Sequence, residues 1–280
     1  MIQEARTQSH LTPEAKRQFE EDGYCVVDGL FSEEELAEIE AFFEEYRTNP
    51  EKVFHGGKGY EEIDPKKELL RAMHPHRYSE QALGWFMHPN VCAVLKELFG
   101  GREPLGAQTM YYYKPPGSVG QGMHQDDMYL LTEPANCMAA WTVLDDADKE
   151  NGCLRVIPGS HKLEVMCPDK PNEEMQKNED WERVARDQKE ARKSLGRPVH
   201  VEMKRGQTLF FGGRLIHGSG PNKTEDRSRR TFIGHYVDEA TEKTSKFYHP
   251  VVNGKGETVS RIEANLSGGP CADGWEGRVH

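Results

Sequence analysis

Residues 137–157 read CMAAWTVLDDADKENGCLRVI. Two short apolar runs, at 137–145 and 153–157, flank an acidic turn that ends in Asn151-Gly152. Each run is too short for a stable helix and is bounded by turn residues, so each predicts a strand. Asn-Gly between two such runs predicts a tight hairpin. Outward from this stretch the pattern repeats at 105–114, 198–203, 207–211 and 229–237, each run bounded by Gly, Pro, Asn or Asp. Strands this closely spaced, without helical crossovers, predict an antiparallel sandwich or barrel. One segment breaks the pattern. Residues 171–197 carry seven acidic and seven basic side chains, which predicts a helical insertion, either a solvated surface helix or a lid.

Residues 1–104 read mainly as helices. Thr12 before Pro13 supplies an N-cap and a first-turn proline. Ser32 with Glu35 forms a capping box, and Leu36, Ile39, Phe43 and Tyr46 recur at helical spacing behind it. Between these helices Tyr24–Val27, closed by Asp28-Gly29, predicts a short strand. A third helical region covers 79–99, restarted by Pro89 and stopped by Gly100-Gly101. Residues 249–280 hold six glycines and little periodicity. The 280 residues therefore read as one mainly β domain with flanking helices: a helical part at 1–104, a core at 105–240 and a strap at 241–280.

The formal net charge of −11 repels nucleic acid and anionic membranes. No run approaches the roughly 18 apolar residues of a membrane span, and residues 1–12 lack the apolar centre of a signal peptide. Six scattered cysteines with no CxxC pair read as free thiols in a reducing, cytoplasmic setting.

The chemistry concentrates in Gly122-Met123-His124-Gln125-Asp126-Asp127. In an extended chain, residues two apart project to one face, so His124 and Asp126 can grip one cation. A third ligand must come from elsewhere, and His217 in Leu215-Ile216-His217-Gly218-Ser219-Gly220 is the candidate, with Gly218 permitting close backbone approach. Two histidines and one carboxylate leave coordination positions open and suit non-haem iron(II). A 2-oxo acid that chelates such a metal has a distal carboxylate still to be held, and arginine's planar fork matches it. Arg227, Arg229 and Arg230 begin the last strong strand. Alternation puts Arg229 with Thr231 and Ile233, and Arg230 with Phe232 and Tyr236.

The chain resembles the phytanoyl-CoA dioxygenase-like branch of the iron(II)/2-oxoglutarate oxygenases over about residues 15–240. The resemblance rests on motifs in order: Phe19-Glu20-Glu21-Asp22-Gly23-Tyr24, Tyr113-Lys114-Pro115-Pro116-Gly117, His124-Gln125-Asp126, Trp141-Thr142-Val143-Leu144-Asp145, Asn151-Gly152-Cys153-Leu154, Pro158-Gly159-Ser160-His161, and His217-Gly218-Ser219-Gly220-Pro221-Asn222 with Arg229-Arg230. It implies a double-stranded β-helix (jelly-roll, cupin-like) barrel, with Fe(II) on His124, Asp126 and His217. It also implies that Arg229, assisted by Ser219, holds 2-oxoglutarate. Met110 and Trp141 match pocket-lining positions, and Arg71 or His74 matches a further basic or polar position. The loop from His217 to the arginines is one residue longer than usual, which leaves Arg229 and Arg230 as alternatives.

The resemblance implies turnover of 2-oxoglutarate and O2 to succinate and CO2, coupled to hydroxylation of an unactivated C–H bond in a small-molecule metabolite. Desaturation, epoxidation and ring closure use the same cofactors and stay open. A non-catalytic binding protein on the same barrel is the rival from another class. The acidic balance favours a free metabolite over an acyl-CoA. Oligomeric state is not legible.

Overall fold

The computed structural model describes residues 10–49, 52, 54, 57–165 and 196–266. The insertion expected at 171–197 lies, except for its last two residues, outside the described residues. Helix α1 (Pro13–Asp22) starts as the sequence predicts, with Thr12 Oγ1 accepting from the Ala15 N–H at 3.1 Å. Strand β1 (Tyr24–Val27) follows, then α2 (Glu33–Thr48) behind a complete Ser32–Glu35 capping box. Leu36, Ile39, Phe43 and Tyr46 form the buried face of α2.

Strand β2 (Leu70–Met73) is one the sequence reading places among helices. Leu-Arg-Ala-Met favours a helix locally, but antiparallel pairing with β3 (Pro104–Lys114) prevails. Between them lie α3 (Glu80–Phe86) and α4 (Pro89–Leu98), the two halves of the third helical region. After β3 come β4 (Gln121–His124), α5 (Asp127–Leu130), β5 (Met138–Val143), β6 (Leu154–Val156) and β7 (Val199–Val201). Then follow β8 (Thr208–Gly212), β9 (His217–Ser219), β10 (Arg229–Asp238), β11 (Lys243–Ser245) and β12 (Glu263–Asn265). The major sheet has the order β1-β8-β5-β10-β3-β2 and the minor sheet β4-β9-β6-β7, every pair antiparallel. This is a jelly roll. It matches the expected double-stranded β-helix, with two antiparallel sheets that are not hydrogen-bonded into one closed ring.

Alternation along β3 sorts its residues between two cores. Tyr111 and Tyr113 face the helices, where Phe43 stacks on Tyr111 with ring centroids 3.9 Å apart. Met110 and Tyr112 face the minor sheet and join Trp141, Ile233, Leu154 and Val156 in the layer between the sheets. The β10 residues Arg229, Thr231, Ile233 and His235 share that inner face, because Arg229 pairs with Lys114, Thr231 with Tyr112 and Ile233 with Met110. Residues 241–266 return along the sheet, with Tyr248, Val251 and Ile262 buried against Leu105 and Val237.

The hairpin expected at Asn151-Gly152 does not form. β5 lies in the major sheet and β6 in the minor, so residues 144–153 carry the chain from one sheet to the other. Asn151 organises that crossing: its Oδ1 accepts from the Asp148 N–H at 2.8 Å and its Nδ2 donates to the Asp146 carbonyl at 2.7 Å. Gly152 adopts φ +85°, and a Cβ there would lie 2.5 Å from the Gly220 carbonyl oxygen. The dipeptide serves a wide crossing loop packed against the 217–222 segment, not a two-residue turn.

Candidate metal centre

The pairing of β4 with β9 sets His124 directly opposite His217, with ring centroids 4.3 Å apart. Gly218 makes this pairing possible, since a Cβ would sit 2.8 Å from the Gln121 carbonyl oxygen. Asp126 reaches the same point by a route other than the expected extended chain. Its backbone is helical (φ −65°, ψ −32°), and it caps the short α5. The strand ends at His124, and the turn into α5 swings the carboxylate back towards the imidazoles.

Ligand atoms of His124, Asp126 and His217 all lie within 4.8 Å of one another, and all three residues are buried. Asp126 Oδ1 stands 3.5 Å from His124 Nε2 and 3.6 Å from His217 Nε2. Each histidine's Nδ1 faces a backbone carbonyl, Gly122 O at 2.8 Å and Leu215 O at 3.0 Å. A carbonyl only accepts, so Nδ1 carries the hydrogen and the Nε2 lone pair faces Asp126. Burial pushes the His217 pKa down to about 4, against the opposing pull of Asp126, so this imidazole is neutral at pH 7. Two imidazoles and a carboxylate converging on one point are a fitting donor set for a divalent iron. His235 Nε2 lies 3.2 Å from Asp126 Oδ2 and braces the carboxylate from behind. The neighbouring Asp127 is wholly buried, and desolvation, reinforced by Asp126, raises its pKa to about 7.

A pocket between the sheets reaches from His217 to Arg229, lined by Met110, Tyr112, Trp141 and Ser219 among others. Arg229 is 2% exposed. Its Nη1 donates to Thr231 Oγ1 at 2.9 Å, and its guanidinium lies 5.2 Å from the Trp141 ring. It has no carboxylate partner among the described residues, and burial lowers its pKa to about 10. Arg230 points to the opposite face, where Asp145 holds it through Nε at 2.9 Å and Nη2 at 2.6 Å, and Glu40 lies 3.1 Å away. Arg71 does not line the pocket. It is buried behind it, donating to the Tyr112 hydroxyl at 2.8 Å. His74, the other candidate for that position, is on the turn after β2 with φ +52° and is also outside the pocket lining.

Sequence reasoning passed over Lys114 and Gln121. Lys114 is 2% exposed, with Nζ surrounded by the Val119 carbonyl, Ser219 Oγ and the Gly220 carbonyl at 3.1, 3.0 and 2.6 Å. Its signal was available: position 114 continues the 110, 112 alternation. Gln121 places its Nε2 3.4 Å from His124 Nε2. No local pattern marks it, because its position depends on the β4–β9 register.

A jelly roll with a buried two-histidine, one-carboxylate site defines a class, the non-haem iron oxygenases. Comparison with known proteins makes the class narrower. Residues 19–231 match the family Phytanoyl-CoA dioxygenase (PhyH). The peroxisomal phytanoyl-CoA dioxygenase of Bos taurus is 30% identical over 252 residues, covering 85% of this chain and 72% of that protein. The rat, mouse and cow relatives are covered over 65 to 72% of their lengths. Among solved structures, the non-heme alpha ketoglutarate dependent carbocyclase SnoK from nogalamycin biosynthesis is similar with a TM-score of 0.67 at 22% identity, covering 83% of this chain and 86% of that one. EctD from S. alaskensis, with 2-oxoglutarate and 5-hydroxyectoine, gives 0.60 at 21%, covering 85% and 79%. At these identities the likeness is one of fold. The chain belongs to the phytanoyl-CoA dioxygenase family and is a dioxygenase of the iron- and 2-oxoglutarate-dependent class.

Proposed function

We propose that His124, Asp126 and His217 hold Fe(II), and that Arg229 with Ser219 holds the distal carboxylate of 2-oxoglutarate. The reaction is hydroxylation of an unactivated C–H bond in a small-molecule metabolite, with release of succinate and CO2. One observation carries this reading: His217 of the metal-competent triad lines the same pocket as a buried guanidinium that has no carboxylate partner among the described residues. A buried cation in that state is complementary to an anionic ligand.

When bound, the metal and 2-oxoglutarate supply the oxidising chemistry. The protein's residues do the rest. The Gly122 and Leu215 carbonyls orient the two imidazoles, and His235 fixes the Asp126 carboxylate. Met110, Trp141 and Ile233 give the co-substrate chain a dry apolar bed between the two charged ends. Arg71 acts at one remove, orienting Tyr112. The chain works as one domain in which the helical N-terminal part backs the major sheet. Four described cysteines are free thiols, which supports a reducing compartment such as the cytoplasm, where the cow relative is described as peroxisomal. Ring closure is the second reading of the outcome, favoured by the fold likeness to a carbocyclase.

The test is succinate release from 2-oxoglutarate with Fe(II) and ascorbate, together with bound-metal stoichiometry. His124→Ala, Asp126→Ala and His217→Ala should each abolish turnover and weaken metal binding while far-UV circular dichroism stays native. Full turnover in any one variant removes that residue from the ligand set. A wild-type protein that binds no metal and releases no succinate overturns the assignment.

A further inference from the structure

Two buried cations face each other on neighbouring strands: Arg229 lines the pocket, and Lys114 stands behind Ser219, which lines it too. Lys114 and Arg229 are directly opposed across β3 and β10. Neither makes an ion pair with a carboxylate among the described residues. Burial, with Arg229 adding repulsion, holds the Lys114 pKa well below the usual lysine range, with Cys153 and Arg155 as the other titratable groups facing it. Such a pair is costly unless an anion arrives.

The hydrogen bonds say what Lys114 does there. The three hydrogens of its ammonium match three oxygens: the Val119 and Gly220 carbonyls and Ser219 Oγ. Ser219 Oγ also accepts from the Gln121 N–H at 3.3 Å. A hydroxyl has two lone pairs and one hydrogen. With both lone pairs engaged, the Ser219 hydrogen is left as a donor, in a pocket that Arg229 also lines. A guanidinium accepts nothing, whereas a bound carboxylate would accept from both.

We propose that Lys114 is a positioning residue for the co-substrate, fixing Ser219 as a hydrogen-bond donor to the carboxylate held by Arg229. It rests on the reading that the distal carboxylate of 2-oxoglutarate sits at Arg229. Lys114 also ties the 115–121 loop to the 219–222 loop, so the donor and the pocket wall are set by one side chain. Arg229 supplies the charge, and Lys114 supplies the direction.

The test compares two 2-oxo acids on manganese(II)-loaded protein by calorimetry: 2-oxoglutarate, and 2-oxobutyrate, which lacks the distal carboxylate. Losing a hydrogen bond to a charged group weakens binding by about tenfold or more. Lys114→Met should therefore weaken 2-oxoglutarate by that factor and leave 2-oxobutyrate unchanged, so the preference between them collapses. Ser219→Ala should do the same, and the double variant should be no worse than either single one, because the two act as a unit. If Lys114 only braces the loops, both acids weaken together and their ratio stays at the wild-type value, which overturns the proposal. Should Lys114→Met fail to fold, Lys114→Arg keeps the charge but displaces the donor from Ser219, and an unchanged ratio there is equally fatal. An Arg229→Met control separates the two levels. If it leaves the ratio intact, the carboxylate does not sit at Arg229 and the underlying reading fails. If it destroys the ratio while Lys114→Met does not, only the Lys114 inference falls.

Discussion

Replacing Arg229 by Met should have effects of opposite sign on ligand binding and on the ligand-free protein. Removing one partner of a buried, hydrogen-bonded charge pair costs roughly 2–5 kcal/mol, which weakens 2-oxoglutarate binding by about thirty-fold to several thousand-fold. The ligand-free protein holds this guanidinium fully buried, and desolvation lowers its pKa to about 10. That displacement corresponds to about 3 kcal/mol against the charged form. The Trp141 ring at 5.2 Å returns part of it, on the order of 0.5–2 kcal/mol. A methionine of similar reach fills the space without the charge, so the ligand-free variant should melt at the wild-type temperature or a few degrees above it. Arg230→Met should give the reverse pattern. It breaks contacts to Asp145 and Glu40, costing about 1–3 kcal/mol of stability, and leaves the 2-oxoglutarate Kd within twofold of wild type. The assays are calorimetric Kd on manganese(II)-loaded protein and scanning calorimetry without ligand. Two outcomes refute the reasoning. If Arg229→Met destabilises the free protein and spares the Kd, the guanidinium is structural. If Arg230→Met is the variant that loses binding, the anchor is one residue further on.

Acid should destabilise the metal-free protein through His217. Its folded pKa of about 4 lies below the ordinary histidine value of 6.5, so the unfolded chain binds more protons in between, and stability falls as pH drops through that window. The difference between wild type and His217→Ala in urea unfolding should change by about 2–3 kcal/mol from pH 7 to pH 4.5, and parallel curves would show that His217 is not buried neutral. Gly152→Ala should lose stability by about 1–2 kcal/mol or more, because φ is +85° and the new Cβ would lie 2.5 Å from the Gly220 carbonyl oxygen. It should also weaken 2-oxoglutarate binding, since Gly220 is one of the carbonyls Lys114 holds. An unchanged melting temperature would mean that the two loops do not touch as described.

The sequence by itself determined the helix starts, most of the strand runs and the three residues whose side chains converge, His124, Asp126 and His217. Capping at Thr12 and Ser32 is a local hydrogen-bond matter, and the alternation that sends Met110 and Tyr112 one way and Tyr111 and Tyr113 the other follows from the pleat. The choice of Arg229 over Arg230 for the inner face was legible for the same reason. What the chain pairs with was not legible. Leu70–Met73 became a strand because β3 offered an edge, and Asn151-Gly152 became a crossing loop because its two flanking strands belong to different sheets. His124 and Asp126 do converge, but not through the expected extended chain, since the backbone turns helical at Asp126. Lys114, Gln121 and His235 acquire partners across 105, 98 and 109 residues. Local propensity and spacing act over a few residues, whereas the register between strands far apart in the chain is decided by burial of whole faces at once. Only tertiary structure could therefore show that Arg229 and Ser219 line one pocket and that Lys114, buried behind it, bonds to Ser219.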